Sequence, residues 1–108
     1  MKKRNEKAFA CRRPNGFHLT FPNGNWISTI WGPGSYSENH MAWFGGGISA
    51  FDKFMESNTC EVMIDCKPRL LKQIHKRFDG DGAVIGHLDI TQWLEILSLL
   101  ANDTNNTA

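Results

Sequence analysis

Long hydrophobic runs are missing from this 108-residue sequence. No stretch of about 18 apolar residues occurs, so no membrane-spanning helix is expected. The charges near residue 1 have no apolar segment behind them, so no signal peptide is read. The chain is expected to stay in the cell that makes it. Cysteine is sparse, with only Cys11, Cys60 and Cys66. An odd set without a C-x-x-C pair excludes a disulfide framework and predicts small, buried, hydrophobic side chains.

Strong net charge is also missing, since the total is +1. The even balance conceals an asymmetry. Residues 1–13 hold Lys2, Lys3, Arg4, Lys7, Arg12 and Arg13 against Glu6 alone, leaving +5 in that head and −4 in the remainder. The organisation expected is one domain, with a basic arm over 1–15, a folded core over 16–101 and a polar, disordered tail over 102–108.

What is present is a hairpin pattern. Phe17, Leu19 and Phe21 alternate with His18 and Thr20, as in a half-buried strand. Asn23-Gly24 suits a two-residue turn, and residues 26–31 form the returning strand. That turn sets Phe21 opposite Trp26, Leu19 opposite Ser28 and Phe17 opposite Ile30. One face then carries Phe17, Leu19, Phe21, Trp26 and Ile30, the expected core layer. The other carries His18, Thr20, Ile27, Thr29 and Trp31, and its two large apolar groups predict that it is covered as well. Residues 32–40 are a loop by composition, and Gly45-Gly46-Gly47 breaks the apolar segment before it. The spacing of Ile48, Phe51 and Met55 fits a short helix over 48–56. Residues 59–65 form a strand with Cys60, Val62 and Ile64 on one side.

Two helices follow. Pro68 sits at a first helical position, and Leu71, Ile74 and Phe78 make an apolar stripe with Leu70 beside it. Lys72, Gln73, Lys76 and Arg77 form its wet face. Residues 79–82 end this helix and residues 83–87 form a short strand. Asp89 and Gln92 make a capping box for the last helix, with Leu88 and Trp93 as a hydrophobic staple. Trp93, Leu94, Ile96, Leu97 and Leu100 drive that helix into the core. The fold class expected is α+β: an antiparallel β-hairpin sheet packed against two C-terminal helices.

Catalytic and metal signatures are absent. Asp79, Asp81 and Gly82 fit the middle of a calcium loop, but its first and twelfth positions would be Arg77 and Leu88, where carboxylates are required. His18, His40, His75 and His87 lack zinc-ligand spacing. No nucleophile elbow, P-loop or dinucleotide fingerprint occurs. No cofactor is expected, and a binding protein is preferred to an enzyme. The binding candidates are Trp31, Gly32, Tyr36, Asn39 and His40, an aromatic and polar loop, with Lys72, Lys76 and Arg77 as phosphate-holding cations.

The run Phe21-Pro22-Asn23-Gly24, then Ile27-Ser28-Thr29-Ile30-Trp31-Gly32-x-Gly34-Ser35-Tyr36-Ser37-x-Asn39, is similar to that of small phage-encoded accessory proteins. A strand like Glu61-Val62-Met63-Ile64, a basic helix over 70–78 and a Trp-containing last helix extend the likeness over residues 17–101. Among such proteins the chain resembles the phage Thoeris anti-defence sponge family, whose oligomers sequester a cyclic ADP-ribose signal made by host TIR enzymes. The resemblance implies a homo-oligomer that binds a small cyclic nucleotide signal without cleaving it. Two other readings stand beside it. One is a protein-binding inhibitor, such as an anti-CRISPR that occludes a host nuclease. The other is a nucleic-acid binder acting through the basic arm, with a steep salt dependence.

Overall fold

The computed structural model describes residues 7–32, Ser35, Ser37 and 54–103. Five strands and two helices are built from them. In chain order they are β1 (Phe9–Arg13), β2 (Gly16–Thr20), β3 (Trp26–Ile30), β4 (Cys60–Asp65), α1 (Pro68–Arg77), β5 (Val84–Leu88) and α2 (Ile90–Ala101). The strands form one antiparallel sheet whose spatial order is the chain order. This is the expected α+β class. Expectations for residues 1–6, 33, 34, 36, 38–53 and 104–108, including the first part of the basic arm and most of the short helix over 48–56, lie outside the described residues. Met55 and Glu56, its last two positions, are irregular. No helix among the described residues is long and apolar enough to cross a membrane.

The hairpin register differs from expectation by one residue. Thr20 pairs with Trp26, Leu19 with Ile27, His18 with Ser28 and Phe17 with Thr29. Pro22 is the physical reason. A two-residue Asn23-Gly24 loop would place Pro22 at a ladder position that needs an N–H, which proline lacks. The chain instead makes a three-residue loop. Gly24 N–H donates to the Phe21 carbonyl at 2.9 Å, and Phe21 N–H donates to the Asn25 carbonyl at 2.8 Å. Gly24 adopts φ +92°, the left-handed position of a turn followed by a glycine bulge.

A one-residue slip exchanges the faces of β3. Ile27 and Thr29 point with Phe17 and Leu19 to the core side, while Trp26, Ser28 and Ile30 share the opposite face with His18 and Thr20. Ile27 is fully buried. The expected core layer was therefore right for β2 and inverted for β3. On the same core face, Ile64 lies opposite Ile27, Val62 opposite Thr29 and Ile85 opposite Val62. These side chains close against Ile74 of α1 and Ile96 and Leu100 of α2 to make the core.

Residues 9–13, expected within the basic arm, form the edge strand β1. Phe9 lies opposite Leu19 and Cys11 opposite Phe17, so a period-two apolar pattern runs beneath the charges. Both side chains are exposed.

The helices follow their sequence signals. In α2 the Asp89 carboxylate accepts the Gln92 N–H at 2.8 Å, and the Gln92 side-chain oxygen accepts the Asp89 N–H at 2.9 Å. The hairpin loop caps the other end. Asn23 and Asn25 both donate from Nδ2 to the Leu100 carbonyl, at 2.8 and 3.0 Å, satisfying one of the acceptors a helix C-terminus leaves open. Helix α1 begins at Pro68 after Lys67, which offers no side-chain cap and whose Nζ is buried without a hydrogen-bond partner. It ends where Asp79 turns left-handed (φ +57°) and Gly80 N–H reaches back to the His75 carbonyl at 2.8 Å. A Cβ at Gly80 would run into the His75 ring, which explains glycine there.

Candidate functional site

The two ends of the β3–β4 pair carry different surfaces. Trp26 pairs with Asp65 at the hairpin end and Ile30 with Glu61 at the far end. Helix α1 follows Asp65 and stays near the hairpin end. Trp31 follows Ile30 at the far end, where α2 begins.

At the far end, on the core face, an aromatic cleft of ≈ 390 Å³ opens. The Phe17 ring stands edge-on to Trp31 (centroids 6.3 Å, 69°) and to Trp93 (6.0 Å, 80°). Both indoles are tethered by their N–H groups. Trp31 Nε1 donates to the Met55 carbonyl at 2.7 Å, and Trp93 Nε1 donates to Thr29 Oγ1 at 2.9 Å. Asn15, buried in the β1–β2 turn, joins the two walls: its carbonyl accepts the Trp31 N–H at 3.0 Å and its Oδ1 accepts the Met55 N–H at 2.6 Å. Among the described residues, the charged side chains lining the cleft are Glu56 and Asp89.

At the hairpin end, beside α1, a groove of ≈ 630 Å³ is bordered by Trp26, Met63, Lys72 and His75, with Asp65 at its side. The Trp26 ring leans on the buried His18 ring at 5.1 Å. His18 is held by Ser28 Oγ at 3.3 Å and Thr20 Oγ1 at 3.1 Å. Met63 is 41% exposed, an apolar floor open to solvent. Pro68 and Lys72 also border the neighbouring depression with Arg69 and Lys76, so three cations line this side of α1.

The predicted site residues do not form one group. Trp31 lines the aromatic cleft, whereas Lys72 and Lys76 lie on α1 at the other end of β3. Five residue steps of extended strand separate the ends, about 17 Å. Gly32 is buried with φ +97°, and a Cβ there would press on Asn15 Nδ2 at 3.3 Å, so its role is to let the chain turn against Asn15. Its N–H donates to Ser37 Oγ at 3.2 Å, and its carbonyl accepts from Ser35 Oγ at 2.7 Å. Arg77 forms an ion pair with Glu95 of α2 and lies over the Phe78 ring, tying the helices together. Tyr36, Asn39 and His40 lie outside the described residues.

Trp26, Met63 and Phe17 were not foreseen as surface walls, nor Trp93 as more than core. The missed signal is Pro22: proline in the second position of the Phe21–Gly24 turn selects the longer loop, and that register brings Trp26 out beside Met63.

Cys60 borders the aromatic cleft but is a poor nucleophile there. Burial, with a smaller contribution from Glu61, pushes its thiol up to about 11. Burial, then Asp65 and Asp103, does the same to Cys66, also to about 11. Both are thiols rather than thiolates at neutral pH. Among the described residues no group of three His, Cys, Asp or Glu side chains is placed to hold a metal ion. The arrangement can therefore stack and pair charge at two separate places. No family model, curated protein or solved structure matches this chain.

Proposed function

We propose that this chain captures a planar, anionic ligand of the cyclic-nucleotide class in the groove beside α1 and holds it without cleaving it. The observation that carries the reading is the meeting of Trp26, Met63, Lys72 and His75 around one groove, with Arg69 and Lys76 in the depression next to it. An indole face and a thioether accept a base, and ammonium groups on one helix side accept phosphate oxygens. Asp65 favours entry with the phosphates toward α1, away from that carboxylate. In keeping with the sequence resemblance, the ligand proposed is a cyclic ADP-ribose-type immune signal, the cellular outcome is inhibition of host TIR-dependent immunity, and the capturing species is a homo-oligomer.

Calorimetric titration with cyclic ADP-ribose tests this. The expected result is saturable binding, with the ligand recovered intact by chromatography after the protein is denatured by heat. Absence of binding, or recovery of a hydrolysed product, contradicts it.

A second reading, a protein-binding inhibitor of the anti-CRISPR type, draws support from Ile90 (64% exposed) and Leu94 (51%). They are four residues apart and share the outer side of α2. A stoichiometric complex with a purified host nuclease, free of nucleotide and lost in Leu94→Glu, would favour it over capture.

A further inference from the structure

We infer that the free edge of β1 is a docking site for an extended, acidic segment of another protein, which adds to the sheet as a further strand. The backbone register carries the argument. Thr20 N–H donates to the Ala8 carbonyl at 2.9 Å, so these facing residues are a hydrogen-bonded pair. Antiparallel pairing alternates such pairs with non-bonded ones, which makes Ala10 and His18 the next bonded pair. The N–H and carbonyl groups of Phe9 and Cys11 therefore point away from β2. Among the described residues no strand lies beyond β1, so these groups face an open edge. The side chains agree with the backbone. Phe9 is 79% exposed and Cys11 is exposed, although they share a sheet face with Leu19 and Phe17. The buried core residues belong to β3, β4, β5 and the two helices, so the cover of that face stops short of β1.

Charge selects the partner. An open edge invites any strand, and proteins commonly guard against this by placing charges along it. Here the middle residues, Phe9-Ala10-Cys11, carry no charge, while Lys7 precedes them and Arg12 and Arg13 follow. Residues 1–13 together hold six cations against Glu6, a sum of +5. A second copy pairing through the same edge would bring that charge against itself. A segment with a β-branched middle and acidic flanks is complementary instead. Its backbone completes the ladder, its side chains on the core side cover Phe9 and Cys11, and its carboxylates approach the flanking cations. A nucleic-acid strand would meet the cations but offers no alternating N–H and carbonyl groups to Phe9 and Cys11. Strand β2 separates this edge from the strands that carry Trp26 and Met63, and the inference does not depend on what the α1 groove binds.

The test uses the intact chain and short synthetic peptides. The probe has capped ends, a middle of alternating valine and threonine, and glutamates on both flanks. It is titrated by calorimetry beside two relatives: one with lysines in place of the glutamates, and one with every middle backbone nitrogen methylated so that it cannot donate. The glutamate peptide is expected to bind saturably, about tenfold or more tighter than the lysine peptide, and the methylated peptide is expected not to bind. Cys11→Pro removes an outward N–H at a position where an edge strand tolerates proline. It is expected to weaken binding of the glutamate peptide about tenfold and to leave the unfolding midpoint unchanged. If that variant does not fold, the methylated peptide still reads the ladder on the unaltered chain. Equal affinity for any two of the three peptides overturns the inference, as does absence of saturable binding up to about 1 mM. A dimer seen by sedimentation in the unaltered chain and lost in Cys11→Pro would assign the edge to a second copy, which also overturns it. Tighter binding of an oligothymidylate than of the glutamate peptide, in competition for the same site, would do so as well.

Discussion

The hairpin end and the far end of the β3–β4 pair set similar side chains beside different charges. Each exposes tryptophan beside sulfur or methylene surface, and each meets one end of a helix. At the hairpin end Lys72 borders the groove, and Arg69 and Lys76 line the adjacent depression on the same helix. At the far end the rim is Glu56 and Asp89. Aromatic side chains alone do not specify a ligand; the charges that the topology brings beside them do. The sheet separates these charges because β4 delivers the chain into α1 at one end and β5 delivers it into α2 at the other.

The comparison rests on the register of β3, which decides which tryptophan belongs to which surface. The largest expected effect tests it. Ile27→Ala should lower the unfolding free energy by about 2–5 kcal/mol, the cost of a cavity at a fully buried position. Ile30→Ala, on the opposite face, should cost less than half as much in the same denaturant titration. The two-residue turn would reverse that order. Next in size, Asn25→Ala removes a buried hydrogen bond to the Leu100 carbonyl, which keeps Asn23 as a donor, and should cost about 0.5–1.5 kcal/mol. Lys72→Ala combined with Lys76→Ala should weaken nucleotide binding about tenfold in the calorimetric titration, equivalent to about 1.4 kcal/mol. Lys67→Met should stabilise the fold by about 1 kcal/mol, because it removes an ammonium nitrogen that is buried without a partner.

A separate effect is a pH dependence. Cys60 and Cys66 hold their protons more tightly folded than unfolded, with pKa values raised from 9.0 to about 11. Their contribution to stability is full below pH 9 and is lost as pH rises toward 11. Cys60→Ala with Cys66→Ala should flatten the decline over that window. In the unaltered protein, thiol labelling at neutral pH should modify the exposed Cys11 well before the other two.

How much of this was legible beforehand follows from which interactions are local. The α2 cap was readable in full, because Asp89, Gln92, Leu88 and Trp93 lie within six residues and their roles depend on spacing alone. The same holds for Pro68 and the wet face of α1, hence for Lys72 and Lys76 as exposed cations. Strand β4 was readable from its alternation. The β3 face was not, because Asn-Gly is a strong two-residue turn signal and the missing N–H of Pro22 was left unweighed. Strand β1 was hidden by the charge of its neighbours, although Phe9, Cys11, Phe17 and Leu19 share a period. The grouping of Trp31 with the α1 cations failed for a non-local reason: only the strand pairing shows that they occupy opposite ends. Trp31 was singled out as a binding aromatic; it lines the cleft, and the rings beside it come from β2 and α2.

The most direct measurement of the central claim is the response of the tryptophan indole N–H resonances to ligand. Addition of cyclic ADP-ribose should shift the Trp26 signal and leave those of Trp31 and Trp93 in place. Shifts at Trp31 and Trp93 with Trp26 unmoved would contradict the assignment of anionic capture to the groove beside α1.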